Sequence, residues 1–391
     1  MHYLDNAATT RVLPEAAEAA VHAMLEEFGN PSSLHRMGLE ASHLLEDSRK
    51  TVASALGCLP EELYFTACGT ESTNISLHGT AHLNRHKKGR IIVTEIEHAA
   101  TINTAKQLAD SGFDVVFLAP DETGHITPEV LSEALTEDTI LLSCQLVNNE
   151  IGTVQPVEAL GRLLKAKAPK ALFHIDAVQG LCRVRLTPKK WNCDLMSVSG
   201  HKIGAPKGIG ALYVKKGLRL PPLTFGGGQE KGKRGGTENV AGIIGMGAAV
   251  EDSMRNMSAR YNKEKNLRDY MVKRILGEIP NVSLNGHYAN RLPGNASFTF
   301  DGINGTSLVV IMDEEGVCIS AGSACAASAE KPSHVISALG IPKEKAYEIV
   351  YDVCQQAVKY GIRCFYKKTD SALRGNVGSE LQAAVDAVSG K

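Results

Sequence analysis

Ser197-Val198-Ser199-Gly200-His201-Lys202-Ile203-Gly204-Ala205-Pro206-Lys207-Gly208-Ile209-Gly210 decides how the rest of the chain is read. A lysine sits just past the apolar run 195–198, inside a loop of small residues, and a second apolar run, 210–214, comes after it. A desolvated lysine has a lowered pKa and can form a Schiff base with an aldehyde. Ser199 and His201 offer hydrogen-bond donors to a phosphate group at the same strand end.

Working outward, the next stretch is His174-Ile175-Asp176-Ala177-Val178-Gln179. A carboxylate at the carboxyl end of an apolar strand is costly without a cationic partner. A protonated ring nitrogen is one such partner; standing alone, Asp176 reads as a helix N-cap. Upstream, Thr66-Ala67-Cys68-Gly69-Thr70-Glu71-Ser72-Thr73-Asn74 lies after a strand and opens a helix. Hydroxyls and small residues there read as an anion cradle, or as a capped helix and nothing more.

These stretches lie within an alternating pattern. Apolar runs at 63–65, 91–93, 115–118, 139–142, 172–175, 195–198 and 210–214 read as strands, with helix-like segments such as 127–135 and 157–166 between them. Continuous apolar strands separated by helices imply an α/β fold with a mainly parallel sheet covered on both faces. Ligands in such sheets sit beyond the carboxyl ends of the strands. One long charged helix is expected from about 250 to 279, and a smaller α+β unit from 290 to 340 with strands at 296–300 and 317–320.

With 43% hydrophobic and 22% charged residues, the 391-residue chain reads as an ordinary globular protein. A formal net charge of −1 gives no global reason to expect nucleic acid or an anionic membrane as partner. No apolar stretch approaches the roughly 20 residues that cross a bilayer, and the first residues lack the pattern of a secretory signal. A cytoplasmic location is the default expectation. Nine cysteines at irregular spacing do not form a disulfide framework, and none has the tight spacing of a zinc site.

Further motifs are Tyr3-Leu4-Asp5-Asn6-Ala7-Ala8-Thr9-Thr10, Gly29-Asn30-Pro31-Ser32-Ser33-Leu34-His35, Glu97-His98, Val147-Asn148-Asn149-Glu150-Ile151-Gly152, Arg234-Gly235-Gly236-Thr237-Glu238-Asn239 and Ser320-Ala321-Gly322-Ser323-Ala324-Cys325. Taken with the three stretches above, they make the chain resemble the cysteine desulfurase branch of the class V aminotransferases, in the family's order from residue 1 to about 346. The resemblance implies a fold-type I pyridoxal-phosphate enzyme: a seven-stranded, mainly parallel sheet with flanking helices plus a smaller α+β domain. It implies a large cofactor-binding domain at 15–255, a small domain from 1–14 and 256–346, and an atypical segment at 347–391. Residue by residue, it implies that Lys202 holds pyridoxal 5'-phosphate, Asp176 pairs with the ring nitrogen and Gln179 with the ring oxygen. His98 would stack on the ring and shuttle protons. Thr70, Ser199 and His201 would bind the phosphate. Thr237 would reach the phosphate of a neighbouring subunit, implying a homodimer. Asn149 and Asn30 would lie near the substrate. Cys325, in a run of small residues, would attack the sulfur of L-cysteine as a thiolate and keep it as a persulfide for a sulfur-acceptor or scaffold protein in iron–sulfur cluster or thio-cofactor biosynthesis.

After Gly340-Ile341-Pro342-Lys343-Glu344-Lys345-Ala346 the resemblance breaks. The family continues with an Arg-Phe-Ser type segment whose arginine binds the substrate carboxylate. Tyr351 stands near that position, and Arg363 is the nearest later guanidinium. The tail reads as helix, strand, loop, helix. Its stretch Lys367-Lys368-Thr369-Asp370-Ser371-Ala372-Leu373-Arg374-Gly375-Asn376-Val377-Gly378-Ser379-Glu380-Leu381 is similar to part of the four-carbon acid sugar kinase family, over too short a span for kinase activity. The altered tail leaves two alternatives to cysteine desulfuration: action on selenocysteine or a cysteine derivative, and a cofactor-binding descendant without turnover.

Overall fold

The computed structural model describes residues 1–322, 333–340, 343–359 and 377–389. In chain order the elements used below are β1 (His2–Tyr3), α1 (Pro14–Leu25), α2 (Arg36–Leu56), β2 (Leu63–Thr66), α3 (Gly69–Leu83), β3 (Arg90–Thr94), α4 (Ala99–Asp110), β4 (Asp114–Leu118), α5 (Pro128–Ala134), β5 (Thr139–Gln145), α6 (Val157–Lys167), β6 (Leu172–Asp176), β7 (Leu195–Ser199), β8 (Gly210–Val214), the single turn α7 (Gln229–Gly232), α8 (Val240–Arg255), α9 (Met257–Glu278), β9 (Val282–Leu284), β10 (Phe298–Phe300), α10 (Gly305–Glu314), β11 (Val317–Cys318), α11 (His334–Leu339), α12 (Lys343–Lys359) and α13 (Val377–Ser389).

Every apolar run from 63 to 214 becomes a strand of one seven-stranded sheet, in the order β2-β8-β7-β6-β5-β3-β4. All neighbours are parallel except β8, which runs opposite to both β7 and β2. Adjacent apolar residues point to opposite faces, because side chains alternate along a strand. Ile91 and Leu141 pack under Leu77 and Ala81 of α3 and Ala105 and Leu108 of α4. Ile92, Leu142, Met196 and Tyr213 enter the larger core on the other face, with residues of α1, α2, α5, α6 and α8. Two-sided burial is why these strands read as unbroken apolar runs.

The register brings particular residues level at the carboxyl ends. Thr66 of β2 and Ser199 of β7 both pair with Gly210, Ser197 pairs with Asp176, and Asp176 pairs with Gln145. Gly210 is required at this crossing: a Cβ there would lie 2.8 Å from the carbonyl carbon of Cys68 and from the carbonyl oxygen of Val198.

The single long helix expected at 250–279 is two helices, α8 and α9, separated at Asn256. The Asn256 amide donates to the backbone oxygen and the carboxylate of Asp252, at 3.1 and 2.9 Å, and so ends α8. The Asn239 side chain starts that helix earlier than expected, accepting from the Gly242 amide at 3.0 Å. The strand expected at 296–300 is β10, antiparallel to β9, and the strand at 317–320 is β11, parallel to β1.

The chain divides into two compact units, Met1–Val335 and Ile336–Lys391. That division lies before the 346/347 boundary read from the sequence. Within the second unit α12 and α13 pack together, burying Cys354, Ala383 and Ala387. The strand expected near 361–365 lies outside the described residues. Among the described residues no helix is long and apolar enough to cross a membrane.

Candidate active site

Three adjacent strand ends build the site. The chain leaves β7 at Ser199 and turns at once through Gly200–Lys202. The Lys202 ammonium donates to the backbone oxygens of Ala7 and Ala8, each at 2.6 Å. The Gln179 amide donates to the same Ala7 oxygen at 3.0 Å. Thr10 bonds through its amide and hydroxyl to the His201 carbonyl, at 2.9 and 2.8 Å. The segment 7–10 thus closes over the lysine turn.

Asp176 ends β6. Its carboxylate accepts from the Val178 amide at 3.0 Å and makes no ion pair among the described residues. Burial raises its pKa, opposed by that hydrogen bond and by the charges of His98 and Lys202. Gly69 opens α3 against this corner: a Cβ there would lie 2.7 Å from Val178 Cγ2 and 3.5 Å from Ser199 Cβ. The cradle, the lysine strand and the carboxylate loop therefore meet at one point. The N-cap of α3, Cys68, provides no side-chain cap, so the first turn is not closed by its own residue. Thr70 is exposed on that turn, and Ser199 Oγ is buried without a hydrogen-bond partner.

His98 caps α4, its Nδ1 accepting from the Ala100 amide at 3.1 Å. His98 and Lys202 both lie close enough to bear electrostatically on Asp176 and on His201, which brings the four to one corner. Burial first, then Lys202, lowers His201 to about 4, so His201 is a neutral imidazole there. Asn149 is half-buried in the turn after β5, and that turn hangs from the residue before Glu97: Asn148 Nδ2 donates to the Ile96 carbonyl at 2.9 Å.

Two expected residues do not join this cluster. Asn30 is exposed and bonds within its own loop, accepting from the Ser32 amide at 2.9 Å. Thr237 is exposed on the glycine-rich loop before α8. Cys325 and Arg363 lie outside the described residues. Two groups stood within quoted motifs but were given no role by the sequence reading. One is Glu97, fully buried beside Asp176 and pushed up to about 8 by burial and by that neighbouring negative charge. The other is the backbone of Ala7 and Ala8, which no side-chain motif could single out.

The residues present fit the pyridoxal phosphate that the resemblance implies. A buried carboxylate with no ion pair among the described residues suits the ring nitrogen, an unpartnered Ser199 hydroxyl suits a phosphate oxygen, and the Lys202 amine is carried on the turn that follows Ser199.

Comparison with known proteins agrees with this geometry. The family described as Aminotransferase class-V matches residues 2–350, and the Sugar-binding N-terminal domain family matches residues 336–391. The second match begins where the second compact unit begins. Cysteine desulfurase IscS of Methanosarcina thermophila is 44% identical over 342 residues, which is 88% of this chain and 84% of that protein. Among solved structures, a NifS-like protein superposes with a TM-score of 0.82 at 36% identity, covering 88% of this chain and 91% of its own. SspA in complex with cysteine superposes with a TM-score of 0.78 at 34% identity, covering 88% and 96%.

Proposed function

The chain belongs to the class V aminotransferase family, with the fold-type I architecture and the cysteine desulfurases as its relatives, and from that premise we propose that it removes sulfur from L-cysteine and holds it on Cys325. Lys202 would carry pyridoxal 5'-phosphate, Asp176 would hold the ring nitrogen and Gln179 the ring oxygen. Thr70, Ser199 and His201 would hold the phosphate, joined by Thr237 from a second copy of the chain. When bound, the cofactor supplies a ring that accepts the electron pair released at the substrate α-carbon.

The chain's own groups divide the remaining work. Asp176 would pair with the ring nitrogen and keep it protonated. Lys202 would serve as the base for the substrate α-proton. His98, at the same corner, relays a proton at the substrate sulfur. Cys325 reacts as a thiolate: its S–S bond to the substrate sulfur forms as the C–S bond breaks, carbon keeps the electron pair and takes a proton, and alanine leaves. The persulfide then passes to an acceptor or scaffold protein for iron–sulfur cluster or thio-cofactor assembly in the cytoplasm. Asn149 and Arg363 would face the substrate. Asn30 lies in an exposed loop and has no contact that supports the substrate role expected of it.

One observation carries this reading: an amine, a buried carboxylate without an ion pair and an unpartnered hydroxyl converge at neighbouring strand ends. Borohydride treatment of the protein with pyridoxal phosphate, and then peptide mapping, tests it. The label should fall on Lys202, and L-cysteine should yield alanine with a persulfide on Cys325. Cys325→Ser should lose the persulfide and keep the cofactor absorbance. A label elsewhere, or a persulfide that survives Cys325→Ser, refutes the assignment.

The family match ends at residue 350, next to Tyr351. A phenol does not replace a bidentate guanidinium for a carboxylate. That favours a second reading, in which selenocysteine or a cysteine derivative is preferred. Alanine release across a substrate panel separates the two. A chain that binds the cofactor yet shows no spectral change with any member of the panel would be a descendant without turnover.

A further inference from the structure

The glycine-rich loop before α8 is held more firmly than a surface loop needs to be. Its neck is narrow: Gly235 N donates to the Thr224 carbonyl at 3.2 Å, and a Cβ on Gly235 would lie 2.8 Å from the Gly226 backbone. Inside the loop the Glu230 carboxylate accepts from both terminal nitrogens of Arg49, at 2.8 and 2.9 Å, and from the Phe65 amide at 2.9 Å. Arg49, on α2, also donates to the Leu63 carbonyl at 2.9 Å and lies over the Phe65 ring. Arg49 is 5% exposed and Glu230 6%. Glu230 and Lys231 have φ of 46° and 55°, a left-handed backbone that residues with side chains disfavour.

Three further bonds fix the residues beyond Glu230. Arg234 Nε meets Glu71 Oε1 at 3.2 Å, on the first turn of α3. The Gly236 amide donates to Gln229 Oε1 at 3.1 Å, and Asn239 Nδ2 donates to the Gly208 carbonyl at 3.1 Å. Thr237 sits between these ties. It is exposed, and its hydroxyl makes no hydrogen bond among the described residues.

We propose that the Arg49–Glu230 pair is a positioning device: it anchors this loop to β2 so that the Thr237 hydroxyl is held out for the cofactor phosphate of a second copy of the chain. The inference rests on the function proposed above and assigns Arg49 and Glu230 a part in it. The pair suits the task because Arg49, which also meets Glu46 at 3.0 Å, holds Glu230 through two parallel bonds and so fixes its orientation. An unpaired Glu230 close to the cradle would repel a phosphate, and Arg49 offsets that charge. The left-handed turn persists because the buried pair over-determines it.

A double-mutant cycle on pyridoxal-phosphate affinity tests this, with sedimentation of each variant reporting subunit association. Thr237→Val should raise the dissociation constant about tenfold, the usual loss for one hydrogen bond to a charged group. Glu230→Gln should raise it by a similar factor. Because Glu230 acts through Thr237, the double variant should be little worse than either single one. Multiplication to about a hundredfold, or an unchanged constant in Glu230→Gln or in Thr237→Val, overturns the inference. If Glu230→Gln does not fold, Arg49→Lys replaces it. That variant keeps the charge but loses the two-pronged hold on Glu230, should weaken binding, and should again be non-additive with Thr237→Val; additivity or no effect overturns the inference equally. A wild type that takes up no pyridoxal phosphate sinks the function itself, whereas a binding wild type with an additive cycle sinks the positioning role alone.

Discussion

Replacing Glu97 with glutamine should stabilise the protein at neutral pH, and the size of the gain can be worked out from its surroundings. Glu97 is fully buried two residues after Glu95, where the chain leaves β3 for α4. One oxygen accepts from the Thr94 hydroxyl and the Gln145 amide, both at 2.8 Å; the other is buried without a partner. Burial and the Asp176 charge raise the group from an ordinary 4.5 to about 8. Between those values the folded chain holds a proton that the unfolded chain releases. Stability due to Glu97 therefore falls as pH rises from 4.5 to 8. At pH 7, some 2.5 units above the unfolded value, the cost is about 3 kcal/mol at about 1.4 kcal/mol per unit. Glutamine keeps the acceptor and stays neutral, and its amide can donate to the buried Thr101 hydroxyl beside it. Glu97→Gln should match wild type near pH 4.5 and exceed it by about 3 kcal/mol at pH 7. Asp176 is present in both proteins and titrates together with Glu97, so the difference reports Glu97 and its coupling to Asp176. Urea unfolding, monitored by the fluorescence of the single, buried Trp191, reads this out across the pH range. A difference that does not change with pH, or a less stable variant at pH 8, would mean that Glu97 is ionised and paired, and the reasoning would fail.

Ser199→Ala should leave cofactor-free stability within about 0.5 kcal/mol of wild type or above it, since the lost hydroxyl has no partner, while weakening pyridoxal phosphate about tenfold. A clear loss of stability without the cofactor would show that the hydroxyl has another use. Gly210→Ala places a Cβ against the backbone of Cys68 and Val198 and should destabilise by about 2–3 kcal/mol, measured by thermal unfolding; a neutral result would mean that the β2–β8–β7 crossing is looser than described. Arg363→Ala should raise KM for L-cysteine at least tenfold if its guanidinium holds the substrate carboxylate. An unchanged KM removes Arg363 from the site.

The range of the interactions involved decided how much the sequence disclosed. Lys202 and Asp176 were legible because the cause of their chemistry lies within a few residues: an apolar strand that ends, then a loop too small to solvate a charge. The seven strands were legible for the same reason, since two-sided burial writes itself as a continuous apolar run. The strand order was not, because nothing in Gly210–Val214 says that it must run against both of its neighbours. The break at Asn256 was missed because asparagine is tolerated in helices, and its role as a stop depends on the side-chain bond to Asp252. The burial of Glu97 and Glu230 was not legible for a deeper reason. Each is buried only once segments distant in sequence close over it: Gln145 and Asp176 over Glu97, and Arg49, 181 positions away, over Glu230. A carboxylate's environment is thus a property of the assembled sheet. Burial raises both Glu97 and Asp176, so the sharing of protons at this corner depends on a residue whose protonation no local pattern encodes.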